Sequence, residues 1–105
     1  MEESAYLVSQ FDNVYVDLGQ MFPMSGPGMK GRFAALLEMA PVNKIMYGSD
    51  GFNVPEIHWF AAVQTKRALT AVLGEFTEHG ECSEEDALRI ARGFLADNAR
   101  RLYRL

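Results

Sequence analysis

Hydrophobic positions follow two different periods along the chain, and together they predict a strand–helix–strand unit followed by two helices. The β-branched and aromatic run Val14–Leu18 predicts a strand that ends at Gly19. A second strand is predicted over Lys44–Tyr47. Between the two strands, apolar residues recur at helical spacing and stop before Pro41: Phe33, Leu36, Leu37 and Ala40.

The segments around this unit carry their own signals. Ser4–Gln10 predicts the end of a helix, and its inward-packing residues are expected to be Ala5, Tyr6 and Leu7. Met21–Gly31 is rich in glycine and proline, which predicts a loop. Three methionines flank this loop: Met21, Met24 and Met29.

Two helices are predicted after the second strand. The first has a broad apolar face, so we expect it to be largely buried, with Asn53 as its cap, Pro55 in the first turn and His79-Gly80 at its end. The second begins at a Ser83 cap followed by acidic residues. Its predicted inner stripe is Leu88, Ala91, Leu95, Ala99 and Leu102, and its arginines form a solvated outer face: Arg89, Arg92, Arg100, Arg101 and Arg104.

Two strands joined by so long a connection should be parallel, with a right-handed crossover. Parallel strands need cover on both faces and neighbours at both edges. Two strands and a few helices do not supply that cover. The sequence therefore predicts an α/β fold that requires either more chain or a partner.

Composition narrows the functional classes. The chain has 105 residues, 49% of them hydrophobic, which predicts a single domain over residues 1–105. A net charge of −4 without a basic face argues against a nucleic-acid partner. One cysteine, Cys82, excludes an internal disulfide, and no apolar run approaches the roughly 18 residues of a membrane span. With the acidic start of the chain, these features predict a soluble cytoplasmic protein that does not contact a membrane.

Asp50 is the strongest candidate for chemistry. It follows the apolar run of the second strand within Tyr47-Gly48-Ser49-Asp50-Gly51, and a long helix comes next. Catalytic residues of (β/α)8 barrels lie at this end of their parallel strands. The alternative is a tight Asp-Gly turn whose residues serve only the backbone.

Other polar and aromatic residues leave two interpretations open. His58 either faces a site near the second strand or is a surface residue, whereas His79 suits a helix end. Asp17 either lines the mouth of a site or makes a structural hydrogen bond. Trp59 and Phe60 suggest packing more than ligand stacking, and Cys82 is expected to be an ordinary thiol.

An ordered set of motifs resembles the C-terminal end of amidohydrolase-related (amidohydrolase 2) metal-dependent hydrolases. It is most similar to the nodulin/FluG-type branch, whose barrel is often fused to a glutamine-synthetase-like domain. Each motif is weak alone, but their order and spacing are fairly specific. In chain order the motifs are Val14-Tyr15-Val16-Asp17-Leu18-Gly19, Leu36-Leu37-Glu38-Met39-Ala40-Pro41, Lys44-Ile45-Met46-Tyr47-Gly48-Ser49-Asp50-Gly51, Pro55-Glu56 and Asn98-Ala99-Arg100-Arg101-Leu102-Tyr103.

The resemblance implies a partial TIM barrel whose strands seven and eight are the two predicted here. Met1–Leu7 then corresponds to the helix before strand seven. Asp50 matches the aspartate that binds a divalent, zinc-like metal in this family and accepts a proton from the attacking water. The family's histidine ligands follow strands one, five and six, and nothing in this chain matches them. The loop Met21–Gly31 would cover the site as a flexible lid.

Three functional hypotheses follow from the resemblance. In the first, the chain is the C-terminal part of a metal-dependent hydrolase that attacks a C–N or related bond with water, and is inactive alone. In the second, it is a truncated binding or assembly module that self-associates to cover its open sheet. In the third, it rebuilds a composite site, either as a homo-oligomer or with a separate barrel half that carries the histidines. Alone, it is expected to bind no metal.

Overall fold

A computed structural model describes residues 1–19 and 25–105, so Met21 and Met24 of the predicted lid lie outside the described residues. Within these described ranges, two short strands lie among five α-helices, and short 3₁₀ segments precede α2 and β2. A π-helical turn, Gly93–Asp97, joins the last two helices. The helices are α1 Glu2–Gln10, α2 Met29–Met39, α3 Pro55–Glu78, α4 Glu84–Arg92 and α5 Asn98–Tyr103, and the strands are β1 Val16–Asp17 and β2 Ile45–Met46.

The two strands pair in parallel, as the strand–helix–strand pattern predicts. Val16 lies opposite Ile45, and Asp17 lies opposite Met46. Both strands are shorter than the apolar runs that predicted them, because only two residues of each enter the ladder. The α/β class is confirmed, and the described fold is mostly helical.

The hydrophobic core lies between the sheet and the helices. α1 packs on α2, α2 on α3, and α3 on α4. The largest fully buried apolar side chains are Phe33, Phe94, Leu36, Ile45, Val8 and Val72. The prediction for α1 was wrong at two positions, since Tyr6 and Leu7 are 55% and 49% exposed while Ala5 and Val8 face the core.

Two predicted boundaries differ from the structure. Met29 was placed in the loop, but it begins α2 and is buried, because its side chain joins the core cluster. Asn53 does not cap α3: the residue before the helix is Val54, and no side chain caps this end. Pro55 does occupy the first turn, where its missing N–H costs nothing.

The long helix α3 is buried unevenly. Its central and C-terminal part contributes Ala68, Leu69, Val72 and Leu73 to the core. Its first turns are open, and Trp59 is 68% exposed, so the predicted packing of Trp59 and Phe60 is absent within the described chain. No helix among the described residues combines the length and hydropathy that a membrane crossing requires.

The predicted C-terminus of α3 and the predicted N-terminus of α4 are confirmed. Gly80 ends the first with a φ of 72°, in the left-handed region that favours glycine. The Ser83 hydroxyl accepts a hydrogen bond from the Asp86 N–H at 3.0 Å. Hydrogen bonds from Arg89 and Ser83 lower the pKa of the Asp86 carboxyl. The arginines predicted on the outer face are exposed.

The buried face of the last helices differs from the predicted stripe at Leu88, and after it a π-helical turn brings Asn98 inside. A regular period predicted Leu88 inside, but it is 61% exposed. The residues of α4 and the turn that join the core are Ala87, Ile90, Ala91, Phe94 and Leu95, so Ala91 and Leu95 face inward as predicted. A π turn holds more residues than an α turn, so it shifts the phase of every side chain that follows. Asn98 thereby comes to lie inside, where it is 4% exposed.

This C-terminal segment covers one edge of the sheet. Leu18 N–H donates to the Met46 carbonyl, so the strand alternation directs the polar groups of Ile45 and Tyr47 to the opposite edge. There the Asn98 amide donates to the carbonyl of Ile45 at 2.9 Å, and Tyr47 N–H donates to the Phe94 carbonyl at 3.0 Å. The helix therefore satisfies backbone groups that a neighbouring strand would otherwise pair.

Replacing Asn98 by alanine should lower the free energy of unfolding by about 2 kcal/mol, because a buried amide that also donates to Val42 O at 2.8 Å is removed. Urea unfolding of the purified chain measures the change. The matched control is Asn53→Ala, since Asn53 is exposed and caps nothing. Equal stability of the two variants would contradict this role of Asn98.

Candidate functional site

The carboxyl ends of β1 and β2 bring two acidic residues together. Asp17 ends β1, and Asp50 lies in the loop that follows β2. A Cβ placed on Gly19 would lie 3.4 Å from the Cβ of Asp50, so the two post-strand loops touch. The candidate site is this contact and the loop Gly48–Gly51.

Asp17 supports both loops through its carboxylate. Its Oδ1 accepts a hydrogen bond from Gly19 N–H at 2.5 Å. A Cβ on Gly48 would stand 2.6 Å from Oδ1 and 2.8 Å from Oδ2 of the same carboxylate. A side chain at position 48 would therefore force the Asp17 carboxylate to move and break its present geometry. Of the two interpretations of Asp17, the structure shows the structural hydrogen bond.

Asp50 has an unusual backbone conformation. Its φ is 48°, in the left-handed region that aspartate visits more readily than most residues. Its side chain is exposed, and within the described chain no hydrogen bond or ion pair engages its carboxylate. Non-glycine residues in this region cluster at functional sites, so the conformation suits a carboxylate displayed for a ligand.

His58 reaches the same loop from the first turn of α3. Its Nδ1 lies 2.7 Å from the Ser49 hydroxyl oxygen. A Cβ on Gly51 would come within 2.7 Å of its Cε1 and Nε2, so the ring lies directly beneath that glycine. The sequence left the role of His58 open and gave no reason to single out Ser49, because their contact depends on how α3 leaves the loop.

Tyr47 anchors the start of the loop. Its ring meets Phe94 edge-on, with centroids 6.4 Å apart, and its N–H donates to the Phe94 carbonyl. Burial raises the pKa of the Tyr47 phenol, and a hydrogen bond with Ser49 lowers it by less. The phenol therefore stays protonated at neutral pH.

The remaining candidates lie away from this site. His79 is the C-cap of α3, at the opposite end of that 24-residue helix from His58. Cys82 is partly buried, and its sulfur lies 3.9 Å from the Thr77 hydroxyl. Among residues 1–19 and 25–105, no three His, Cys, Asp or Glu side chains form a group that could hold a metal ion.

Replacing Gly48 by alanine should destabilise the chain by about 1–3 kcal/mol, because the new methyl group meets the Asp17 carboxylate. The control is Gly74→Ala at an exposed position near the C-terminal end of α3, where a Cβ meets nothing and alanine favours the helix. In a double-mutant cycle measured by urea unfolding, Asp17→Ala should relieve most of the Gly48→Ala penalty. Strict additivity of the two substitutions would refute the steric explanation.

Comparison with known proteins identifies the family. A model of the family described as "Amidohydrolase" matches residues 1–105. The chain is 35% identical over 104 residues to "Protein fluG" of Emericella nidulans, an alignment that covers 98% of this chain and 12% of that protein. The chain thus spans about one eighth of the length of this relative. No solved structure matches it. The family match over the whole chain and the identity to fluG show that this chain belongs to the amidohydrolase family.

Proposed function

We propose that this chain forms the C-terminal part of a metal-dependent hydrolase barrel, in which Asp50 is the metal-facing carboxylate. The observation that carries the proposal is the position of Asp50. In a chain matched throughout by the amidohydrolase family, it follows the last strand and displays an unpaired carboxylate in a left-handed turn. Catalytic groups of (β/α)8 barrels occupy this end of the strands.

The residues of this chain do not by themselves fit a complete metal site. Zinc in catalytic sites takes three protein ligands and a water, and the described residues offer no such group. Asp50 would supply one ligand, and the others must come from outside the described chain. A bound divalent metal would supply a water of lowered pKa. We therefore assign no reaction step to this chain alone.

The chemical role that we propose for this chain is proton transfer at the Asp50 carboxylate. The exposed Asp50 carboxylate can accept a proton from a water held beside it, as a general base requires. Asp17 has a structural part instead, because its Oδ1 accepts the Gly19 N–H and its carboxylate lies against Gly48. The substrate is proposed only as a compound with a C–N or related hydrolysable bond.

Completing a barrel would require cover at two places. The outer edge of β1 would pair with a preceding strand. The outer edge of β2 would pair with the first strand of the barrel. The hydrogen bonds that the Asn98 amide and the Phe94 carbonyl now make with β2 would then be replaced by bonds to that strand. We propose that the missing half, or a second copy of the chain, provides this cover. A cytoplasmic location is proposed from the single cysteine.

The second candidate function is a self-associating module without catalysis. Its support is the exposed apolar surface next to the site, where Phe52 is 89% exposed and Trp59 68%. Large exposed aromatics in one region mark interaction surfaces. A folded monomer of the 105-residue chain at high concentration in sedimentation equilibrium would contradict this candidate.

The test of the main proposal uses the native gene product that contains this sequence. We expect Asp50→Asn to abolish stoichiometric divalent metal, measured by elemental analysis, and to lower hydrolysis of simple amides at least about 100-fold. Asp12→Asn is the matched control, because Asp12 is exposed in the turn after α1. Metal content and activity that are equal in the two variants would exclude Asp50 as the metal-facing carboxylate.

A further inference from the structure

The loop that carries Asp50 is contacted from two sides, by a residue of β1 and by a histidine of α3. On the strand side, the Asp17 carboxylate fills the space beside Gly48. On the helix side, His58 contacts Ser49 and Gly51, the two chain neighbours of Asp50. Asp50 itself has no contact with a polar partner in the described chain, so its direction depends on these neighbours.

The contacts of His58 are specific in geometry. The 2.7 Å separation of its Nδ1 from the Ser49 oxygen is a short hydrogen bond. Gly51 N–H also donates to the Ser49 oxygen at 3.4 Å, which closes the turn around Asp50. The ring lies so close to Gly51 that a side chain at position 51 would displace it. One imidazole therefore fixes the residue before Asp50 and the residue after it.

These contacts lie on both sides of the left-handed backbone of Asp50. A φ of 48° is uncommon even for aspartate, which adopts it more readily than most residues, and such a conformation persists where the surroundings support it. We propose that His58 is a positioning residue that holds Asp50 in its left-handed conformation and so sets the direction of the carboxylate. That the carboxylate then binds a metal rests on the proposed function, but the positioning of Asp50 by His58 does not.

The same two side chains could also suggest a Ser–His nucleophile. Such a pair needs a third group that orients the imidazole. Among the described residues, no carboxylate lies within ion-pair distance of His58. Its Nε2 side faces the backbone of Gly51, and Ser49 is further engaged by Tyr47 and by Gly51 N–H. These contacts favour a structural role of the Ser49–His58 hydrogen bond over an activated serine hydroxyl.

Two substitutions at position 58 separate the hydrogen bond from the bulk of the ring. Asparagine places a polar atom close to where Nδ1 stands, whereas leucine fills similar space without any polar atom. His79→Leu is the matched control, because His79 is exposed at the far end of the same helix. Ser49→Ala removes the partner without touching the ring.

The readout is nuclear magnetic resonance of the purified 105-residue chain without metal. A strong nuclear Overhauser effect between HN and Hα of the same residue marks a positive φ at Asp50. We expect His58→Leu and Ser49→Ala to lose this signal, and His58→Asn and His79→Leu to retain it. Ser49→Ala should also shift the ¹⁵N resonance of His58 Nδ1. Urea midpoints report whether each variant is folded.

The proposal is overturned if His58→Leu or Ser49→Ala, folded by its urea midpoint, keeps the positive φ of Asp50, or if His58→Asn loses it as fully as His58→Leu. Because this readout needs no metal and no substrate, it does not depend on the outcome at Asp50→Asn. If His58 positions Asp50 but Asp50 binds no metal in the native gene product, the proposed function is rejected and this inference stands.

Discussion

The fold depends on how the outer edge of β2 is satisfied. A two-stranded parallel sheet leaves backbone groups exposed on both edges, and buried unpaired groups are costly. Here the Asn98 amide and the Phe94 carbonyl take the place of a neighbouring strand along β2. The π-helical turn Gly93–Asp97 makes this possible, because it rotates Asn98 into the interior.

The candidate site follows from that constraint. β2 is paired to β1 at its inner edge and covered at its outer edge. Its position therefore determines where the loop Gly48–Gly51 begins. The loop then lies between the Asp17 carboxylate and the His58 ring, and each approaches the backbone at a glycine, where a Cβ would displace it. Asp50 lies between these two contacts, and its carboxylate has no polar partner within the described chain.

Much of this architecture could be predicted from local sequence. The parallel strand–helix–strand unit, the Ser83 cap, the Gly80 stop and the place of Asp50 after a strand are all properties of short windows. The family was also recognisable, because its motifs occur in order. Local signals work at such positions because caps and strand ends are satisfied by residues within a few positions along the chain.

The rest could not be predicted, since it depends on contacts between distant residues. Nothing in the helical period of Leu88–Leu102 indicates a π turn, so the burial of Asn98 after that turn was not predicted. The bond between Ser49 and His58 depends on the angle at which α3 leaves the loop. Asn98 occurs in a recognised motif, but its role requires knowing that Val42 and Ile45 lie opposite it.

The central claim is that Asp50 forms the metal-facing corner of an amidohydrolase barrel. The most direct measurement is an anomalous-scattering map from crystals of the native gene product grown with a divalent metal such as zinc. The account predicts an anomalous peak with an Asp50 carboxylate oxygen about 2.0–2.2 Å away. A metal bound elsewhere, with the Asp50 carboxylate directed to solvent, would contradict it.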